Sequence, residues 1–163
     1  MRRTIESGAG TRVAAGLEAW HRIVRNMNDE SLDELLADDV VFHSPIVHTP
    51  QEGKALTKLY LMAAFNVLPG QSEPDASANE AKKKAEGNFR YVREVVGEND
   101  AVLEFVTKLD DITVNGVDII RFDDEGRIAE FKVMIRPLKA IQKIHAQMAQ
   151  MIDALKKSEK GIQ

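Results

Sequence analysis

The second half of this 163-residue chain contains four strand-like segments that follow one another at short intervals. Each is rich in β-branched and aromatic residues, and turns containing Gly, Asn or Asp separate them; they cover residues 89–96, 101–109, 113–122 and 127–135. Turns at such short and even spacing are typical of an antiparallel meander. This spacing therefore predicts a sheet in which strands that are adjacent in the sequence pair with one another.

Helical periodicity dominates the segments outside the meander. Apolar residues recur there at steps of three or four. The predicted helices cover 12–28, 31–37, 50–67 and 137–158, and one further strand covers 40–44. Ser31 with Glu34 reads as a capping box for the second helix, and Thr49 with Pro50 as the start of the third. Helices segregated from a meander predict an α+β domain.

The same reading divides the chain into a tail, one domain and a C-terminal extension. Residues 1–11 read as a flexible tail and residues 12–136 as the domain. Within the domain, residues 71–87 hold no large apolar side chain and include a run of three lysines, which predicts an exposed insertion. Residues 137–163 read as an amphipathic helix and its tail.

Composition excludes several classes of function. The net charge is −4, which disfavours nucleic-acid binding and a polybasic membrane anchor. The absence of cysteine excludes disulfides and thiolate metal sites. The four histidines show no metal-binding spacing and no nucleotide fingerprint occurs, so we expect no metal and no cofactor. No apolar run is long enough for a membrane helix, and we expect a cytoplasmic protein.

Two segments carry a resemblance to a known superfamily. They are LLADDVVFHSP at 35–45 and GVDIIRFDDEGRI at 116–128. With the order of elements, they resemble the NTF2-like superfamily, which includes SnoaL-like polyketide cyclases, ketosteroid isomerases and limonene epoxide hydrolases. The resemblance spans about residues 12–136. It implies a curved sheet that forms a cone, closed by helices over an apolar cavity, and it leaves the function open because this fold hosts many functions.

Strand alternation divides the predicted meander into two faces. The nearly all-apolar set should face the cavity: Leu103, Phe105, Thr107, Leu109, Asp118, Ile120, Phe122, Phe131, Val133 and Ile135. The opposite set mixes charged and apolar residues: Val102, Glu104, Val106, Lys108, Val117, Ile119, Arg121, Ile128, Glu130, Lys132 and Met134. A half-apolar outer face suits an interface, and the family commonly dimerises there, so we expect a homodimer.

Asp118 is the sharpest candidate for chemistry, because it is the one carboxylate of the inward set. Burial should raise the pKa of that carboxyl. The resemblance places it where ketosteroid isomerases hold a protonated aspartic acid in the oxyanion hole. The structural alternative is a hydrogen bond to a helix backbone group or to a buried side chain such as Trp20. Ser44 stands where those isomerases carry their general-base aspartate, which disfavours a true ketosteroid isomerase.

His43 and His48 are the other catalytic candidates, because histidine titrates near neutral pH. His43 is in the predicted strand, where alternation points it away from Ser44, and His48 follows in the loop near the expected cavity mouth. The predicted ligand-binding residues share the inward stripes of the helices and strands: Trp20, Ser44, Tyr60, Phe105, Thr107, Ile120, Phe131 and Val133.

The sequence thus predicts a protein that binds a small apolar organic ligand in its cone. Acid–base catalysis of the isomerase, cyclase or hydrolase type, on a carbonyl, enol or epoxide, is one hypothesis. The other is a non-catalytic binding or interaction module whose cavity is filled by side chains: Phe42, Phe65, Phe105, Phe122 and Phe131. The sequence does not decide whether the chain is an enzyme.

Overall fold

The computed structural model of the chain describes residues 8–26, 29–68 and 89–161. Four helices and six strands lie in these ranges. In chain order they are α1 (Gly8–Asn26), α2 (Asp29–Leu35), β1 (Leu36–His43), β2 (Gln51–Glu52), α3 (Lys54–Val67), β3 (Arg90–Val96), β4 (Asp100–Leu109), β5 (Ile112–Phe122), β6 (Ile128–Arg136) and α4 (Leu138–Lys160). The expected α+β class is confirmed. The predicted insertion at 71–87 lies outside the described residues, and the division into segments stays a prediction.

The described strands form one curved sheet that does not close, in the order β2-β1-β6-β5-β4-β3. Strands β3 to β6 pair antiparallel with their sequence neighbours, as the predicted meander requires. Strand β1 joins the other side of β6 in parallel, and the two-residue strand β2 pairs with β1. The central strands are therefore β5 and β6, which carry Asp118 and Phe131.

Helices cover one face of the sheet, which we call the inner face. The predicted stripe of α1, which includes Val13, Leu17 and Trp20, is buried in the same core as the inward strand residues. Helix α1 approaches the turn between β5 and β6 closely at Gly16. A Cβ atom there would lie 2.6 Å from the carbonyl oxygen of Gly126, so the close approach requires glycine at this position.

The ends of the first two helices differ from the prediction. Helix α1 begins at Gly8, four residues before the predicted start, and residues 1–7, 27 and 28 lie outside the described part. Helix α2 begins at Asp29, so Ser31 is inside the helix and is not its N-cap. The helix also stops at Leu35, because Leu36 already pairs with Ile128 of β6. The strand register overrides local helix propensity here.

The start of α3 also differs from the prediction. The helix begins at Lys54 and not at Pro50, because Gln51 and Glu52 pair with β1 first. Gly53 then turns the chain with φ of +97° and donates its backbone N–H to Val40 at 2.8 Å. A left-handed backbone at this point favours glycine.

The predicted division into two faces is confirmed for β4 and β5, whose inward side chains alternate with more exposed ones. Ile128 is the exception: regular alternation predicts it on the outer face, but it is fully buried. A β-bulge explains the difference, because Arg121 faces Glu130 while Phe122 faces Ile128. The additional residue, Ala129, reverses the alternation at the start of β6.

Candidate functional site

A cavity of about 80 Å³ lies between the inner face of the sheet and helices α1, α3 and α4. This is several times the space that one water molecule needs. Aromatic side chains dominate its wall: the chain has one Trp, two Tyr and six Phe, and all of them except Phe122 line the cavity. The lining aromatic residues are Trp20, Phe42, Tyr60, Phe65, Phe89, Tyr91, Phe105 and Phe131. Phe122 packs instead beside Gly16 of α1.

The aromatic wall forms two groups of ring contacts. In one group, Trp20 lies 4.9 Å from Phe131 and 5.8 Å from Phe65, measured between ring centroids. In the other, Phe89 lies 5.2 Å from Tyr91 and 5.0 Å from Phe105. Contacts at these distances stabilise defined ring orientations. The cavity is therefore bounded by interlocked rings.

Asp118 lies in this wall near the middle of β5. Its register partners are Leu103 on β4 and Val133 on β6, so its side chain points to the inner face. The residue is 5% exposed. Most of the residues that line the cavity with it are apolar or aromatic. Asp118 is therefore a buried acid that borders a cavity, as the sequence predicts.

A chain of two hydrogen bonds connects Asp118 to α1. The Tyr91 hydroxyl donates to Oδ2 of Asp118 at 2.7 Å, and the Trp20 indole N–H donates to the Tyr91 hydroxyl oxygen at 3.0 Å. Three elements, α1, β3 and β5, thus contribute one residue each. The structural alternative expected a direct bond between Asp118 and a side chain such as Trp20; the direct partner is Tyr91.

Burial determines the protonation of both groups. Burial raises the pKa of Asp118 from 3.8 to about 7, against the opposing effect of the Tyr91 hydrogen bond. Burial and the neighbouring Asp118 raise the pKa of Tyr91 well above 10. At neutral pH, Tyr91 therefore remains a donor, while Asp118 is divided between its protonated and ionised forms.

Most of the predicted ligand-binding residues line the cavity together with Asp118: Trp20, Ser44, Tyr60, Phe105, Phe131 and Val133. Thr107 and Ile120 do not. Both are buried on the inner face but are packed within the core. Alternation predicts the face on which a side chain lies and not how far along the strand the cavity extends, and a role of Thr107 and Ile120 in ligand binding stays a prediction.

The two catalytic histidine candidates lie away from Asp118. His43 is on the outer face, where its Nε2 lies 2.8 Å from Oε1 of Glu130. His48 is exposed in the loop after β1, and neither histidine lines the cavity. Ser44 does line it, and its Oγ accepts the backbone N–H of Ile46 at 3.1 Å.

Tyr91 is the functional candidate that the sequence reasoning missed. The available signal was the spacing of Phe89 and Tyr91, two aromatic residues two positions apart at the start of a strand, which places both on one face. A β-bulge follows Tyr91, because Tyr91 faces Phe105 while Arg93 faces Glu104. The bulge is not visible in the residue pattern.

Two further features concern metals and membranes. Within residues 8–26, 29–68 and 89–161, no three His, Asp or Glu side chains are grouped so that they could hold a metal ion. No helix in these ranges combines the length and the hydropathy needed to cross a bilayer.

Comparison with solved structures shows the same fold in proteins of several kinds. A steroid Δ-isomerase from Pseudomonas aeruginosa is 28% identical, with 94% of this chain and 98% of that chain covered and a TM-score of 0.75. An uncharacterised protein with a cystatin-like fold from Silicibacter pomeroyi is 25% identical, with 83% of each chain covered and a TM-score of 0.67. The epoxide hydrolase/cyclase-like enzyme SalBIII is 15% identical, with 80% and 95% covered and a TM-score of 0.55, which shows the fold alone.

Sequence comparison identifies the family. No curated protein matches the chain in sequence. The family model of the SnoaL-like domain matches residues 17–131, which is most of the chain and includes Trp20, Tyr91 and Asp118. The chain therefore belongs to the SnoaL-like family, within the NTF2-like superfamily.

Proposed function

We propose that this protein binds a small, mostly apolar molecule with a carbonyl, enol or epoxide oxygen, and that Asp118 exchanges a proton with that oxygen. The observation that carries the proposal is the buried acid in the aromatic wall, where burial raises the pKa of its carboxyl to about 7. General acids work best when their pKa lies near the operating pH. An isolated carboxyl with its ordinary pKa would be fully ionised there and would donate poorly.

The two oxygens of Asp118 have different surroundings. Oδ2 accepts the Tyr91 hydroxyl, whereas no hydrogen bond from a described residue reaches Oδ1. Oδ1 is the atom that would carry the proton and donate it to a ligand oxygen. Once the proton has left, the Tyr91 hydrogen bond stabilises the carboxylate, and the Trp20 N–H supports the tyrosine. The low dielectric of the apolar wall strengthens each of these interactions.

The composition of the wall restricts the mechanism. Among the described lining residues, Asp118 is the one carboxylic acid and there is no histidine. Ser44 lines the cavity at the position where the resemblance expects a general base. A keto–enol tautomerisation balances at this site: Asp118 gives its proton to the ligand's carbonyl oxygen, and its carboxylate takes a proton from the neighbouring carbon, which restores the acid. The similar steroid Δ-isomerase supports an isomerase-type reaction, and Ser44 argues against an identical mechanism.

Ligand-dependent thermal stability of wild type and Asp118→Asn tests the proposal. The panel contains phenol, 2-naphthol, single-ring enones, a steroid enone and matched hydrocarbons without oxygen. A ligand at a hundredfold excess over Kd stabilises the folded state by about 2.7 kcal/mol. We expect oxygen-bearing compounds to stabilise the wild type more than their hydrocarbons, and Asp118→Asn to remove that difference.

The control variant is Asp100→Asn, the same change at an exposed position on β4. It should respond to ligands as the wild type does. Equal stabilisation of wild type and Asp118→Asn by every oxygen compound would contradict the role of Asp118. Compounds that bind are then assayed for turnover. Binding without turnover would show a binding protein without catalysis, whereas binding of none of the compounds favours the second hypothesis, a module whose cavity is filled by side chains.

A further inference from the structure

Tyr91 lies between two spaces in the structure. Its side chain lines the aromatic cavity and also lines an open groove on the opposite side, between α1 and β3. It is the one residue common to these two linings in the described part of the chain. A residue that contacts Tyr91 from the groove therefore acts on a side chain that is hydrogen-bonded to Asp118 in the cavity wall.

His21 of α1 occupies that side. Its ring contacts the Tyr91 ring edge-on, with centroids 5.4 Å apart and planes at 77°. The His21 Nε2 is hydrogen-bonded to Oε1 of Glu94 on β3, which orients the imidazole. Phe89 contacts the Tyr91 ring in a second edge-on arrangement. Helix α1 thus contacts Tyr91 twice, through Trp20 at the hydroxyl and through His21 at the ring.

The β-bulge at Val92 makes this arrangement possible. In a regular strand, Tyr91 and Arg93 would lie on one face, and Glu94, three residues after Tyr91, would lie on the opposite face. Because Arg93 pairs with Glu104 and Glu94 pairs with Leu103, the bulge returns Glu94 to the inner face beside His21. Bulges commonly redirect a side chain next to a functional site.

We propose that His21 and Glu94 are positioning residues that hold the Tyr91 hydroxyl on Asp118. The effect of this role on catalysis rests on the proposed function, in which Asp118 is the reacting acid. The pair acts through Tyr91 and does not touch the cavity. The contacts run from Glu94 to His21, from His21 to the ring of Tyr91, and from the Tyr91 hydroxyl to the carboxyl group of Asp118.

Several other charged or titratable groups face this chain of contacts. Glu18 and Arg25 of α1 and Arg93 of β3 line the groove, and Tyr60 of α3 lines the cavity. None of them has a hydrogen bond to Asp118 among the described residues. After burial and Asp118, the charge of Glu94 also contributes to the raised pKa of Tyr91, which keeps the tyrosine protonated as a donor.

The test is the titration of the Asp118 carboxyl, followed by ¹³C NMR in the whole chain, with Asp118→Asn to assign the resonance. Tyr91→Phe removes the donor to the carboxylate and should raise the midpoint by about 1 pH unit. His21→Ala should raise the midpoint in the same direction by a smaller amount. Glu94→Gln keeps the shape of the side chain and should also raise it, so it decides the question if His21→Ala does not fold.

The outer face offers a matched control pair. His43 and Glu130 form the same kind of contact on the other side of the sheet, with no ring against Tyr91. His43→Ala and Glu130→Gln should leave the Asp118 midpoint at its wild-type value. Two outcomes overturn the proposal. In the first, His21→Ala and Glu94→Gln both fold and the midpoint of the Asp118 titration is unchanged or lowered in both. In the second, the control variants raise that midpoint by the same amount.

Failure of this proposal is distinguishable from failure of the proposed function. If Asp118→Asn loses ligand discrimination while the His21 and Glu94 variants leave the midpoint unchanged, the positioning role alone is wrong. If those variants raise the midpoint but Asp118→Asn keeps ligand discrimination, the positioning role stands and the proposed function is wrong.

Discussion

The two faces of the sheet place the same kind of side chain in opposite environments. Asp118 on the inner face is buried among aromatic rings, and burial raises the pKa of its carboxyl to about 7. Glu130 on the outer face of the adjacent strand is also partly buried, which by itself would raise its pKa; hydrogen bonds and charges from Arg121 and His43 lower that pKa instead. The comparison shows that partners, and not residue type, decide which acid can hold a proton at neutral pH.

The outer face also differs in how its polar groups are satisfied. Cross-strand contacts connect its charged and amide side chains in two rows: His43–Glu130–Arg121, and Arg136–Asn115–Glu104–Arg93. Half-buried Val and Ile side chains, and the exposed Met134, lie among these rows. The homodimer expected through this face stays a prediction.

The largest expected difference between the faces is in packing. Phe105→Ala removes a ring that is 1% exposed and should lower the free energy of unfolding by about 3–5 kcal/mol. Val95→Ala, at a position that is 56% exposed on the other face, should change it by less than about 0.5 kcal/mol. Urea denaturation of both variants measures the contrast, and similar losses would show that the core is not concentrated on the inner face.

The second prediction concerns the pH dependence of stability. Because the folded state binds the Asp118 proton more tightly than the unfolded state, wild-type stability should fall as pH rises from about 4 to about 7. Asp118→Asn still accepts the Tyr91 hydrogen bond and carries no charge. It should therefore be more stable than wild type at about pH 8, by up to about 4 kcal/mol. Parallel stability curves for the two proteins would contradict the raised pKa.

The third prediction uses glycine to probe the close packing of the inner face. A Cβ at Gly116 would overlap the Phe105 ring and lie 2.7 Å from the Met134 carbonyl oxygen. Gly116→Ala should therefore destabilise the fold by about 1–3 kcal/mol. At Gly10 of α1 nothing lies within 4 Å of the added atom, so Gly10→Ala should stabilise it by about 0.5–1 kcal/mol. Thermal denaturation decides whether the two changes have opposite signs.

The smallest expected effect is on the outer face. Glu130→Gln removes the partly exposed ion pairs with Arg121 and His43, and should cost at most about 1 kcal/mol at neutral pH. Since the pKa of Glu130 is lowered on folding, this contribution is present above its unfolded pKa and is lost as pH falls through the folded value. A variant as stable as wild type at neutral pH and less stable in acid would contradict this sign.

Local pattern was sufficient for much of the fold. The 3.6-residue stripe of α1 and the alternation in β4 and β5 depend on near neighbours in the chain, and both predictions hold. Errors arose where pairing with a distant strand competed with local preference. Leu36 pairs with β6 and ends α2 early, and Ile128 is buried because a bulge opposite Phe122 reverses the alternation.

For the site, alternation along a single strand is enough to infer from the residues alone that one acid, Asp118, faces an apolar interior. Its partners follow from contacts between distant elements of the fold. The Tyr91 hydroxyl, the Trp20 indole and the His21–Glu94 pair come from elements far apart in the chain. Their meeting depends on strand register, on the bulge in β3 and on how α1 crosses the sheet. The physical reason is that a pKa reflects every group around a carboxyl, whereas strand alternation indicates only the direction in which the side chain points.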